Sequence, residues 1–145
     1  MNTRVKVVRK KTNRRYVALL RGINVGGNNI IKMQDLKHAF ENMGCTNIRT
    51  YIQSGNVVFD SPVTDEEKLC ANIEKTLSKE FAYASSVVLI TQTQLKKIVA
   101  SAPPSFGREP TKYRYDVLFL KPHISVRALL KDIPINPAVD IVHAG

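Results

Sequence analysis

The amino-acid sequence predicts an α+β fold. Three observations carry that reading. Short apolar runs suited to strands alternate with apolar stripes at helical spacing. Over residues 16–99 they follow the order strand, helix, strand, strand, helix, strand, with a further short helix. The segments between them are rich in glycine, asparagine and proline, the residues that break regular structure.

Tyr16 to Leu20 is an apolar run and reads as a buried central strand ending at Arg21. Gly22 to Asn29 is loop chemistry, with three glycines and three asparagines. Met33, Leu36, Phe40 and Met43 then recur on one helical face, with Ala39 filling the stripe and Gly44 placed to end the helix. Ile48 to Ile52 and Val57 to Phe59 read as a hairpin, joined by the turn Gln53-Ser54-Gly55-Asn56. Thr64 and Glu67 fit a capping box for a second helix, whose stripe is Leu69, Ile73, Leu77 and Phe81. Val87 to Ile90 is a fourth strand, and Thr91 with Gln94 suggests another capping box before Leu95, Ile98 and Val99. The order β-α-β-β-α-β is the split βαβ arrangement of the ferredoxin-like fold, expected over residues 16–101.

Residues 102–114 contain three prolines and one glycine and read as a linker. After it, Tyr115 to Leu120 is a predicted strand, Ser125 a predicted cap for a helix through Leu130, and Val139 to Val142 another predicted strand. That βαβ order is the first part of a second ferredoxin-like unit, so residues 115–145 are expected to be an incomplete one. An unpaired sheet edge there leads us to expect self-association.

The chain has 145 residues, 43% hydrophobic and 23% charged, ordinary for a globular protein able to bury a core. The two cysteines, Cys45 and Cys70, sit among apolar residues, and there is no CxxC pair. They read as small hydrophobes in a reduced compartment, and the expected location is cytoplasmic. No apolar run is long enough to span a bilayer, so no membrane partner is expected. Net charge is +10, and seven cations with no acid lie in residues 1–15. That segment reads as a basic arm, expected to be disordered. It is either a solvated tail or an electrostatic tether for nucleic acid.

Two stretches carry a family resemblance. They are Tyr16-Val17-Ala18-Leu19-Leu20-Arg21-Gly22-Ile23-Asn24-Val25-Gly26-Gly27 and Arg49-Thr50-Tyr51-Ile52-Gln53-Ser54-Gly55-Asn56-Val57-Val58-Phe59. Together they resemble an uncharacterised bacterial family, domain-of-unknown-function family 1697, over residues 16 to about 145. The resemblance implies tandem ferredoxin-like units and a closing segment that contains a tryptophan. This sequence has no tryptophan, so that segment is expected to be missing. The resemblance implies no activity and names no ligand.

The predicted topology places the loop after strand 1 and the turn between strands 2 and 3 at one end of the sheet. The candidate ligand-binding residues are therefore Arg21, Gly22, Asn24, Gly26, Gly27, Tyr51, Gln53, Ser54, Gly55 and Asn56. Glycine N–H groups form anion-binding nests, and an arginine grips phosphate or carboxylate through two parallel hydrogen bonds. The plainer reading is that glycine and asparagine serve the turns themselves.

Catalysis has less support. Ser54 has no His or acid beside it in either motif. His38, His123 and His143 are scattered, no metal site is proposed, and neither glycine stretch matches a nucleotide motif, so no cofactor is expected. Phe106, Arg108, Lys112, Tyr113, Arg114 and Tyr115 interleave rings with cations, a pattern that suits single-stranded nucleic acid or a plain basic linker. The favoured reading is a binding module for an anionic ligand, with nucleic acid as the expected partner. The alternatives are an enzyme acting on a small anionic metabolite, with Arg21 as clamp and Ser54 or Tyr51 at the chemistry, and an interaction module with structural loops.

Overall fold

The computed structural model describes residues 12–145. Most of the basic arm, residues 1–11, lies outside the described residues. The elements are β1 (Arg14–Arg21), α1 (Met33–Asn42), β2 (Thr46–Tyr51), β3 (Asn56–Ser61), α2 (Glu66–Phe81), β4 (Ser86–Thr91), α3 (Gln92–Ala100) and α4 (Val126–Asp132). The chain is a mixed α+β protein with one four-stranded antiparallel sheet, ordered β2-β3-β1-β4, and four helices among the described residues.

Period-2 alternation sorts β1 into two faces. Tyr16, Ala18 and Leu20 point into the core, while Arg15, Val17, Leu19 and Arg21 share the other face. The core side is closed by the stripes Leu36, Ala39 and Phe40 of α1 and Leu69, Ile73 and Leu77 of α2. Phe59 of β3 is its centre, with ring centroids 5.0 Å from Phe40 and 5.8 Å from Tyr16. Tyr16 is fully buried, and its hydroxyl donates to the Val63 carbonyl at 2.9 Å, which satisfies the one polar atom it carries inward. Cys45 is buried beside this core, and that burial pushes its thiol up to about 11.

Capping differs in part from the sequence pattern. The box at Thr91 and Gln94 is present, Gly44 follows α1 with φ +80°, and Ser125 caps α4. The cap of α2 is Asp65 rather than Thr64, with the Lys68 N–H donating to its carboxylate at 3.1 Å. The helix begins one residue later than Thr64 would dictate, so Glu67 is not at the position a capping box needs.

The predicted strands Tyr115 to Leu120 and Val139 to Val142 do not form; both segments are irregular. A strand exists only by pairing, and these segments pair with none of the four strands. The outer edge of β4 at Val87 is already occupied by side chains of α2. The Val87 N–H donates to Glu74 Oε1 at 2.7 Å, and Cys70 Sγ donates to the Val87 carbonyl at 3.4 Å. Lys121 reaches the same Glu74 carboxylate without extending the sheet. None of residues 101–145 is buried.

Candidate functional site

The loop after β1 and the β2–β3 turn meet at one end of the sheet. Asn24 makes the joint. Its Nδ2 donates to the Ile31 carbonyl and to the Gln53 carbonyl, both at 2.9 Å, and its Oδ1 accepts from the Ile31 N–H at 2.8 Å. One side chain thus closes its own loop and ties it to the neighbouring turn. Beneath it, fully buried Ile23 packs against Gly55, where an added Cβ would lie 2.6 Å from Ile23 Cδ1 and 2.9 Å from Leu20 Cβ. The Leu20 N–H also donates to the Gly55 carbonyl at 2.9 Å. Gly55 is required here by close approach as well as by its φ of +88°.

Residues 24–29 are a miniature hairpin. The Asn28 N–H donates to the Val25 carbonyl and the Asn24 N–H to the Asn29 carbonyl, at 3.0 and 3.1 Å. Gly26 and Gly27, with φ of +59° and +78°, are its two central residues, the φ signature of a type I′ turn. Asn29 closes the base, donating from Nδ2 to the Gly22 carbonyl at 2.7 Å. In the facing turn, Asn56 Nδ2 donates to Ser54 Oγ at 3.2 Å and to the Tyr51 carbonyl at 3.3 Å.

The structure therefore brings the ten sequence-predicted residues together but divides their work. Gly22, Asn24, Gly26, Gly27, Gly55 and Asn56 are engaged in building the two turns. Arg21, Tyr51, Gln53 and Ser54 are exposed. Among the described residues, Arg21 makes no ion pair and no side-chain hydrogen bond, so its guanidinium is available to a ligand.

Four apolar residues crowd the same end with little cover. Val25 is 62% exposed, Ile30 and Tyr51 70%, and Ile52 60%. Ile52 also holds a φ of +53°, a left-handed conformation rare for a β-branched residue. Sequence reasoning assigned Val25 and Ile30 no role and read Ile52 as the end of a strand. It also passed over Arg49, exposed on β2 two residues before Tyr51 and on the same face. Strand alternation was the signal for Arg49; no local pattern marks the backbone of Ile52.

The site is an open surface rather than a cavity. Two shallow clefts lie elsewhere, one by Arg14, Glu66 and Thr93 at the opposite end of the sheet, the other along Asn72 and Thr76 of α2. Among the described residues no three potential metal ligands cluster, and no helix is long and apolar enough to cross a membrane.

With the fold and the paired loops in view, comparison with known proteins gives a consistent result. A family model described as a protein of unknown function, DUF1697, matches residues 14–143. The chain belongs to the DUF1697 family. That match runs from the start of β1 through both loop motifs and into the irregular C-terminal part. Among curated proteins none matches the sequence. A solved structure, the conserved bacterial protein SP0830 from Streptococcus pneumoniae, is similar with a TM-score of 0.68 and 25% sequence identity, over 83% of this chain. This DUF1697 chain spans 66% of the length of that protein, less than two thirds.

Proposed function

We propose that residues 16–101 form a ferredoxin-like unit and that the chain is a binding module for an anionic ligand, held at the loop end of the sheet by Arg21. The strand order β2-β3-β1-β4, with α1 and α2 closing one face, supports the fold reading. Residues 102–114 are its linker and 115–145 part of a further unit. The observation that carries the binding reading is the division of work at the loop end. Asn24 locks the two turns together at 2.8–2.9 Å, and the exposed Arg21 beside them has no carboxylate partner among the described residues. A rigid frame holding an unspent guanidinium is preorganised for an anion.

Inorganic pyrophosphate, titrated calorimetrically, is the direct probe. Arg21→Ala should lose about 1.5–3 kcal/mol of binding, as for a hydrogen bond to a charged group. Arg21→Lys should restore only part, because an ammonium lacks the planar fork. Melting temperature should barely move, since the side chain is exposed. Equal pyrophosphate affinity in wild type and Arg21→Ala would overturn the reading.

A further inference from the structure

The face of the sheet turned away from α1 and α2 has an order that the registers give row by row. Tyr51 lies opposite Asn56, Asn56 opposite Leu19, and Leu19 opposite Val88. Residues paired in this way project their side chains to the same face. In the next row Arg49 lies opposite Val58. On the other side of the Tyr51 row, Arg21 follows Leu19 by two residues and so returns to this face.

Cover on this face is uneven. Val17 and Ile90 are buried, at 8% and 9% exposure, as expected if α3, which packs against β1 and β4, lies over them. The rest of the face is more open: Tyr51 is 70% exposed, Arg49 and Arg21 are exposed, and the floor of Asn56, Leu19, Val58 and Val88 is half-buried. The face carries a carboxylate at Asp60, but it is already engaged. Arg15 grips it through Nε at 2.7 Å and an amino nitrogen at 3.0 Å, and Asn47 Nδ2 adds a third bond at 2.7 Å. Arg21 and Arg49 make no ion pair among the described residues.

An exposed ring on a largely apolar floor, flanked by two unpaired guanidinia, fits a ligand that alternates flat apolar faces with anions. Resting on the reading of Arg21 as an anion clamp, we infer that this open face binds single-stranded nucleic acid, with a base stacked on Tyr51 and backbone phosphates at Arg21 and Arg49. Arg49 stands about 7 Å along the strand from Tyr51, and Arg21 lies two strands away, about 10 Å across the sheet. The cations thus bracket the ring on two sides. Every base offers a π-face, so such a platform is tolerant of sequence. Duplex is disfavoured because its base faces are stacked inside, leaving only groove edges to an open sheet. Residues 16–145 alone keep a net charge of +3, of the sign this ligand requires.

The test is fluorescence anisotropy of labelled oligo(dT) and oligo(U) with the full chain across a salt series. Tyr51→Ala should weaken binding about tenfold or more, the usual cost of removing a stacking ring, while Tyr51→Phe should keep it. Arg49→Ala should reduce the salt slope by about 0.7, one phosphate contact on a single strand. Because the basic arm attracts any polyanion, the same Tyr51→Ala comparison is made on a chain lacking residues 1–11, where the effect should persist. Circular dichroism should show both Tyr51 variants folded. Unchanged oligonucleotide affinity in folded Tyr51→Ala would overturn the inference, and would do so even if Arg21→Ala abolished pyrophosphate binding, which tests the anion clamp alone. Equal affinity for a duplex of the same length would overturn it as well.

Discussion

Gly55 and Ile52 sit three residues apart in one turn and make opposite demands on it. Gly55 has φ +88° and Ile23 Cδ1 within 2.6 Å of where a Cβ would stand. Gly55→Ala combines a backbone penalty with a clash against Leu20 Cβ, which cannot swing aside, and should cost about 2–4 kcal/mol in urea unfolding. Ile52 adopts φ +53° while its side chain is 60% exposed, so neither burial nor packing rewards the strained backbone. Ile52→Gly should therefore stabilise the fold by about 1 kcal/mol in the same assay. A loss of stability there would mean that the isoleucine side chain holds the turn together. The glycine content of this turn was legible in the sequence, because a tight turn needs positive φ. The role of Asn24 was not. Its partners are the Ile31 and Gln53 backbones, one of them 29 positions away, and nothing local announces a bond at that range.

The strands and helices of residues 14–100 follow from periodicity where an apolar face meets the core, as along β1, α1 and α2. Boundaries were less legible. Thr64 and Asp65 are both good caps, and the competition between them is decided by where α2 meets the core through Leu69. The ion pair of Arg15 with Asp60 was invisible, since it joins two strands distant in sequence. It ties β1 to β3, and Asn47 extends the tie to the irregular start of β2. This cluster has a pH signature. The hydrogen bonds from Arg15, aided by Asn47, hold the Asp60 carboxyl below its ordinary value of 3.8. A depressed carboxyl favours the folded state above its unfolded value and loses that contribution as protons bind the native form. Stability should therefore be level near neutrality and fall below about pH 3.8 as Asp60 titrates. Asp60→Asn should be less stable at neutral pH and should lack that part of the acid-side decline, as read from urea midpoints across a pH series.

The molecule as a whole divides its burial unequally. Every buried residue among the described ones lies between Tyr16 and Thr91, and residues 101–145 contribute none. Tyr115 to Leu120 looked like a strand because strand-forming residues look alike whether or not a partner exists, and pairing is a property of the whole chain. Along the outer edge of β4, the Glu74 and Cys70 side chains take the groups that another strand would use at Val87. In the C-terminal part, Val117, Leu118, Val139 and Ile141 are exposed, at 52%, 65%, 64% and 76%. Two consequences belong together. A chain ending at residue 101 should keep the sheet and its core, because the residues it gives up include none of the buried ones and the ion pair it loses to the remaining fold is that of Lys121 with Glu74. Its thermal midpoint should stay within a few degrees of the full chain's, about the shift that 1 kcal/mol produces in a domain of this size. The full chain should associate more strongly with itself than the shortened one, since it adds these exposed apolar side chains to the surface. Sedimentation velocity over a concentration series separates the two chains directly. If the shortened chain unfolds, residues 102–145 support the core through contacts beyond Lys121; if both chains sediment alike as monomers, the exposed apolar residues do not drive association.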